Sequence, residues 1–267
     1  MKKVRTGTFA LNAPFGLWSA LFIIAPLIMV GYFAFTNADG QFCTESMQEI
    51  FTHRNHAGQL MYVQLFGRSM WYGAVATAIS LVLAFPLAHF MAQTKASAQR
   101  MLMILIMVPM WMNFLIATDA WRFILDSLPW LRIADTPAAA ILGMVYFFVP
   151  FMILPIYTVM NRMNVSLLEA AQDLGAGRLE VLRRVIVPLS MPGVVSGIIM
   201  VFVPSVSIFF VNDRLGNVML IGDVIERLVF DQIHLGAALS LVLMVMVLVC
   251  MLVLNRFSSR ERGAFVT

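Results

Sequence analysis

Six stretches of this chain are too long and too apolar to leave in water. They run from about Phe15 to Thr36, Ser69 to Ala92, Met101 to Ile124, Ala138 to Met160, Gly193 to Val211 and Leu235 to Leu254, the last without one charge. About 20 residues of helix cross a ~30 Å hydrocarbon core, so each stretch reads as a spanning helix. Composition agrees. Hydrophobic residues make up 61% and charged residues 12%, against roughly 45–50% and about 25% in soluble domains. A chain of 267 residues has too much surface for its volume to hide that much apolar area from water. The expectation is an all-α membrane protein with one transmembrane domain over residues 1–267.

Met1 to Arg5 (MKKVR) precedes the first stretch, as in a signal peptide. The apolar run is too long for one and no clean small-x-small site follows, so it reads as a retained anchor. Lys and Arg set the orientation. With the N-terminus inside, twelve of the 18 fall on the inner side: Lys2, Lys3, Arg5, Lys95, Arg100, Arg162, Arg178, Arg183, Arg184, Arg256, Arg260 and Arg262. The outer six are Arg54, Arg68, Arg122, Arg132, Arg214 and Arg227. Both termini are therefore expected in the cytoplasm, with 37–68 and 212–234 outside and 161–192 inside. Pro86, Pro109, Pro150, Pro155 and Pro204 interrupt spans and are expected to mark kinks.

The inner stretch 161–192 is the most informative. Ser166 and Glu169 have the S-x-x-E spacing of a capping box. Leu167, Leu168, Ala171 and Leu174 follow at helical spacing, and Gly175 can take the positive φ of a helix end. A second short helix is expected from about Arg178 to Val187, with Leu179, Leu182, Val185 and Ile186 on one side. Pro188 and Pro192 are expected to stop it. Such a module has an apolar face and no core of its own. It either lies on lipid headgroups or docks into a partner.

The same residues carry a family resemblance. Glu169, Ala170, Ala171 and Gly175, then nine residues, then Val185, Val187 and Pro188 resemble the EAA signature of ATP-binding-cassette importer permeases. Val185 and Val187 stand where that family usually has Ile and Leu. Val108–Ile116, Pro150–Tyr157, Leu167–Gly177, Val187–Gly193 and Asn217–Ile225 look most like permeases of spermidine/putrescine-type systems. Ala117 departs from the arginine expected there in such relatives. The resemblance implies the type I importer permease fold, with 161–192 as a coupling loop seated on an ATPase. It implies an ATPase dimer, a second permease subunit and an extracytoplasmic substrate-binding protein as partners, and a bacterial plasma (inner) membrane location. The ATPase-coupling residues it implies are Ser166, Glu169, Ala170, Ala171, Gly175, Val185, Val187 and Pro188.

The chain has no G-x-x-x-x-G-K-[ST] phosphate loop, so ATP chemistry is expected in another subunit and no cofactor is expected on this one. No paired nucleophile and base is evident, and no basic run points to nucleic acid. His89 is a lone histidine within the second span, read as pore or packing. Cys43, His53 and His56 are too weakly spaced to suggest a metal site. Ionisable and aromatic residues in spans can line a pathway. Trp111, Asn113, Asp119, Tyr146, Phe209, Phe210 and Asp213 are the candidates. Asp119 and Arg122, three apart on one helix, are expected to form a local ion pair. Asp213, Asp223, Glu226 and Asp231 against Arg214 and Arg227 give the outer loop a net negative mouth, which either attracts cations or simply follows from the positive-inside rule. A self-sufficient secondary transporter would need mirrored broken helices, and an intramembrane enzyme a buried nucleophile; neither pattern is visible.

Overall fold

Hydrocarbon offers a backbone amide no water, so a crossing segment must close its own hydrogen bonds as a helix. The computed structural model follows that rule throughout residues 14–54, 58–128, 130 and 132–264, the part it describes. In chain order the helices are α1 (Pro14–Ala34), α2 (Glu45–Thr52), α3 (Met61–Gln93), α4 (Ala96–Trp111), α5 (Phe114–Ser127) and α6 (Pro137–Met160). Then come α7 (Val165–Asp173), α8 (Arg178–Ser207), α9 (Val211–Gly216), α10 (Ile221–Asp231) and α11 (Ile233–Ala264). Extended pairing among these residues is limited to two antiparallel bridges, Thr36 with Phe42 and Arg54 with Leu60.

α1, α3, α6, α8 and α11 are each long and apolar enough to cross a membrane. They correspond to the first, second, fourth, fifth and sixth expected spans. The third expected span is not one straight helix. α4 and α5 meet at 95° and make a single crossing only as a bent pair. Pro109 removes a ladder donor near the end of α4, and Met112 and Asn113 are extended. The Asn113 side chain then accepts from the amides of Leu115 (2.9 Å) and Ile116 (3.3 Å) and starts a new helix. A polar N-cap inside an apolar run is what allows the break.

The fifth span also differs. The helix starting at Arg178 stops at neither Pro188 nor Pro192. It runs unbroken to Ser207 through one π-turn, Leu182–Ile186, where the Val187 amide bonds to the Leu182 carbonyl. A proline ring clashes with the carbonyl four residues earlier, and the wider i→i+5 turn relieves that clash. The chain therefore enters the span as one rod from the inner loop. It leaves at Ser207, so Phe209 and Phe210 lie beyond the helix.

The chain divides into two compact units, 1–64 with 224–245, and 65–223 with 246–267. In the first, the described part of α1 is almost bare, with Phe15, Leu17, Trp18, Leu21 and Phe22 exposed. His234 Nδ1 lies 3.1 Å from the Phe33 carbonyl. Gly236 lets α11 turn close against Val229 of α10.

In the second unit the central contact is α6 on α8. Small residues let these backbones approach. A Cβ on Gly193 would sit 2.7 Å from the Pro155 carbonyl oxygen and 3.0 Å from Ile156 Cα. One on Gly197 would sit 2.6 Å from Met152 Sδ. Two buried clusters flank that contact. Met91, Met152, Ile156, Met160, Val181 and Ile186 lie at one end of the bundle. Met144, Val145, Val211, Leu215 and Leu220 lie at the other.

Gly193→Ala should lower stability by about 1–3 kcal/mol, because backbone atoms cannot move aside cheaply. Gly67→Ala, in α3 with open space at its Cβ, should be neutral or gain up to about 1 kcal/mol of helix propensity. Thermal unfolding of the two variants in one detergent checks the contrast.

Candidate functional site

The chain presents two candidate surfaces, at opposite ends of α6. The first is 161–187. Asn164, not Ser166, caps α7, its side chain accepting from the Ser166 amide at 3.1 Å. The expected Ser166–Glu169 capping box is not formed, because Ser166 already lies inside the helix. Gly175 takes φ +87° and reverses the chain.

Leu168, Ala171, Ala176, Leu182 and Val185 then pack on the cluster around Met160 and Ile186. Leu167, Leu174 and Leu179 do not join them. They are 51%, 90% and 76% exposed. Glu169 and Ala170 are exposed; Ala171, Val185, Val187 and Pro188 are half-buried. Glu180 and Arg184 pair at 2.9 Å. Beneath α7 lies a cavity of about 350 Å³ lined by His89, Gln93, Asn161, Leu168 and Ile186 among others. Gln93 Nε2 is 3.0 Å from His89 Nε2 there. The loop thus has one side docked on the bundle and three leucines exposed.

The second surface gathers the loops before α6 and after α8. Asp119 and Arg122 do not pair. Asp119 meets Arg214 Nε at 3.4 Å. Arg122 reaches Asp126 at 2.9 Å, grips both oxygens of Asp135, and donates to the Arg214 carbonyl at 3.2 Å. One guanidinium fork thereby ties α5, the loop before α6, and α9. The i,i+4 spacing of Arg122 and Asp126 was visible in the sequence. Asp135, thirteen residues away, had no local signal.

Phe210 has φ +70° and ψ −49°, and the Val211 amide donates across it to the Phe209 carbonyl at 2.8 Å. This is a γ-turn of the rare, strained hand, costing on the order of 1–3 kcal/mol for a residue with a Cβ. Asp223 holds it in place. Its carboxylate is 3% exposed and accepts from the amides of Phe210 and Leu220, each at 2.9 Å, and from Asn212 Nδ2 at 3.5 Å. Asp223 is therefore a buried clamp and not part of a negative mouth. Arg214 Cζ lies 5.6 Å from the Phe210 ring centre, so Asp119, Arg214 and Phe210 form one group. Asp213 is exposed nearby on α9.

The other pathway candidates are placed differently. Asn113 is the cap of α5. Trp111 is 79% exposed at the end of α4 and Phe209 is half-exposed. Tyr146 stacks edge-on with Trp121 (5.2 Å) and Phe147 (5.1 Å), its hydroxyl 3.8 Å from Met112 Sδ. Ala117 is 1% exposed, which leaves no space for an arginine at that position. In the loop after α1, the Cys43 sulfur accepts from the Glu45 amide and His53 faces Glu49 at 3.7 Å; His56 lies outside the described residues.

Arg122 holds the Asp135 carboxyl below its usual range through hydrogen bonds. The matching stability is complete above the unfolded carboxyl pKa of about 4 and is lost as pH falls through the lower folded value. Asp135→Asn should remove that acid-side loss from the unfolding temperature measured against pH. Burial pushes Asp223 the other way, against its three hydrogen bonds, so its ionisation costs stability as pH rises through the raised folded value. Asp223→Ala should strand two amides at about 1–3 kcal/mol each, whereas Asp223→Asn, which keeps an acceptor, should lose less; thermal unfolding reads the difference.

Comparison with known proteins identifies the family and the fold. Residues 80–262 match the family described as binding-protein-dependent transport system inner membrane component. The spermidine/putrescine transport system permease protein PotB of Escherichia coli K12 is 34% identical over 263 residues, covering 90% of this chain and 94% of that one. Its counterpart in Haemophilus influenzae Rd is 33% identical, with 90% of each covered. Among solved structures, a bacterial ABC transporter that imports the acidic polysaccharide alginate superposes with a TM-score of 0.70 at 16% identity, covering 95% of each chain. The methionine transporter MetNI, in an inward-facing conformation, gives 0.56 at 17% identity, covering 77% of this chain and 98% of that one. The chain belongs to the inner membrane component family of binding-protein-dependent transport systems, as a permease subunit of the ATP-binding-cassette importer type.

Proposed function

We propose that this permease carries polyamine cations of the spermidine/putrescine class into the cytoplasm, driven by an ATPase dimer that seats on the 161–187 loop. The observation that carries the coupling reading is the exposure of Leu167, Leu174 and Leu179 on a module whose other side packs on the bundle. A leucine left in water forfeits about 1.5–3 kcal/mol of burial, so three together favour a partner groove. Glu169, Gln172, Arg178 and Arg183 are exposed around them, which favours a protein partner over hydrocarbon. The Lys and Arg bias supports placing this loop and both termini inside.

A second permease subunit completes the pathway, and the almost bare α1 supports such a neighbour or lipid against it. An extracytoplasmic binding protein delivers cargo to the end bearing Asp119 and Phe210. This chain binds no nucleotide or other cofactor; hydrolysis belongs to the ATPase. The polyamine assignment draws on the 34% identity to permeases of spermidine/putrescine systems.

The test is reconstitution of the chain with its ATPase, partner permease and binding protein in proteoliposomes. Spermidine uptake should depend on ATP. Leu174→Asp and Glu169→Lys should each reduce uptake at least about 10-fold, since a charge facing an apolar groove, or a reversed one at its rim, costs more than the ~1.4 kcal/mol that a factor of ten represents. ATPase co-purification should fall with them. Full coupling and full assembly in both variants would count against the seating. Uptake of another solute with none of spermidine would overturn the substrate assignment.

A further inference from the structure

We propose that Asp119 and the ring of Phe210 form a subsite for an organic ammonium group, and that the guanidinium of Arg214 lies there as a tethered placeholder which an incoming cation displaces. The proposal rests on the reading that the cargo is a cation.

Two arginines at this end are held in contrasting ways. Arg122 is locked: it forks onto both oxygens of Asp135, reaches Asp126 and donates to a backbone carbonyl. Arg214 is hydrogen-bonded through its backbone. Its carbonyl is held by Arg122, and its amide donates to the Phe210 carbonyl at 2.9 Å. Its side chain meets Asp119 through one Nε contact at 3.4 Å, with both side chains 57% exposed. A pair so open to solvent is weak and readily exchanged. The anchored backbone lets the side chain swing out while α9 stays in place.

The partner surface is built more firmly than the pair it holds. Phe210 sits in a strained γ-turn, and the buried Asp223 clamps its amide. Strain of this kind persists only where surrounding structure enforces it, and it concentrates at ligand clamps and switches. Here its effect is to present an aromatic face beside a carboxylate. A carboxylate and a ring face are what an alkylammonium prefers, and Arg214 shows that a cation fits between them. Emptying the subsite then requires only that a stronger or more concentrated cation arrive.

The test measures spermidine binding by calorimetry on the assembled permease–ATPase complex in lipid nanodiscs, without binding protein. Arg214→Gln should tighten binding about 5-fold, the scale of one exposed ion pair with a ring contact. Asp119→Asn and Phe210→Leu should each weaken it by a similar factor, and Arg214→Gln combined with Asp119→Asn should match Asp119→Asn alone. A purely structural pair would instead make Arg214→Gln and Asp119→Asn weaken binding alike, which overturns the proposal. If Arg214→Gln does not fold, unchanged affinity in both Asp119→Asn and Phe210→Leu overturns it equally. Spermidine uptake by the wild-type importer with no tightening in Arg214→Gln rejects the placeholder alone. No spermidine uptake by the wild type rejects both this subsite and the substrate reading.

Discussion

The close approach of α6 and α8 holds both ends of the larger unit in register. Gly193 and Gly197 bring the two backbones to a separation that a single methyl group would disturb. Lipid tails are as apolar as leucine, so van der Waals fit, more than hydrophobic exclusion, must supply the attraction between such helices. Both candidate surfaces hang on this pair. α6 begins after Asp135 and ends at Met160, where the inner loop starts. α8 begins inside that loop and ends at Ser207, just before the strained Phe210. The inner loop and the Phe210 turn thus lie at the two ends of one helix. The unbroken passage through Pro188 gives that helix its length.

Three departures from the regular helix in the larger unit show how the exposed backbone is accommodated. Asn113 caps the break in the third span, the π-turn accommodates Pro188, and Asp223 takes the amides freed around Phe210. Irregular backbone at membrane depth is tolerated only where protein or a water-filled space covers it. The third-span break and the Phe210 turn belong to the same unit, and Asp119 on α5 meets Arg214 on α9. The regular helices build the scaffold, and the irregular ones place the polar groups.

Charge is distributed with a similar division of labour. Arg122, Asp126 and Asp135 consume one another's hydrogen-bonding capacity and brace three elements. Asp119 and Arg214 meet instead in a long, solvent-exposed pair. At the other end Glu180 and Arg184 pair on the helix surface, beside the exposed Leu167, Leu174 and Leu179.

Much of this was legible in the sequence because it is local or collective. Span number follows from runs of apolar residues set against a fixed hydrocarbon thickness. The Gly175 turn follows from the one residue type that takes positive φ freely, and the family signature from its spacing. What could not be read are the choices among equivalent partners. Asp119 had Arg122 three residues away, yet the fold offered Arg122 two better carboxylates and brought Arg214 to Asp119. Ser166 had the spacing of a cap, yet the helix starts one residue earlier, at Val165, and Asn164 caps it. Pro188 read as a stop, but packing on α6 carried the helix through it. Local spacing determines which residues can meet on one helix; only the tertiary arrangement decides which of several partners lies nearest, because contact energies of a few kcal/mol fall off within ångströms that sequence distance does not record.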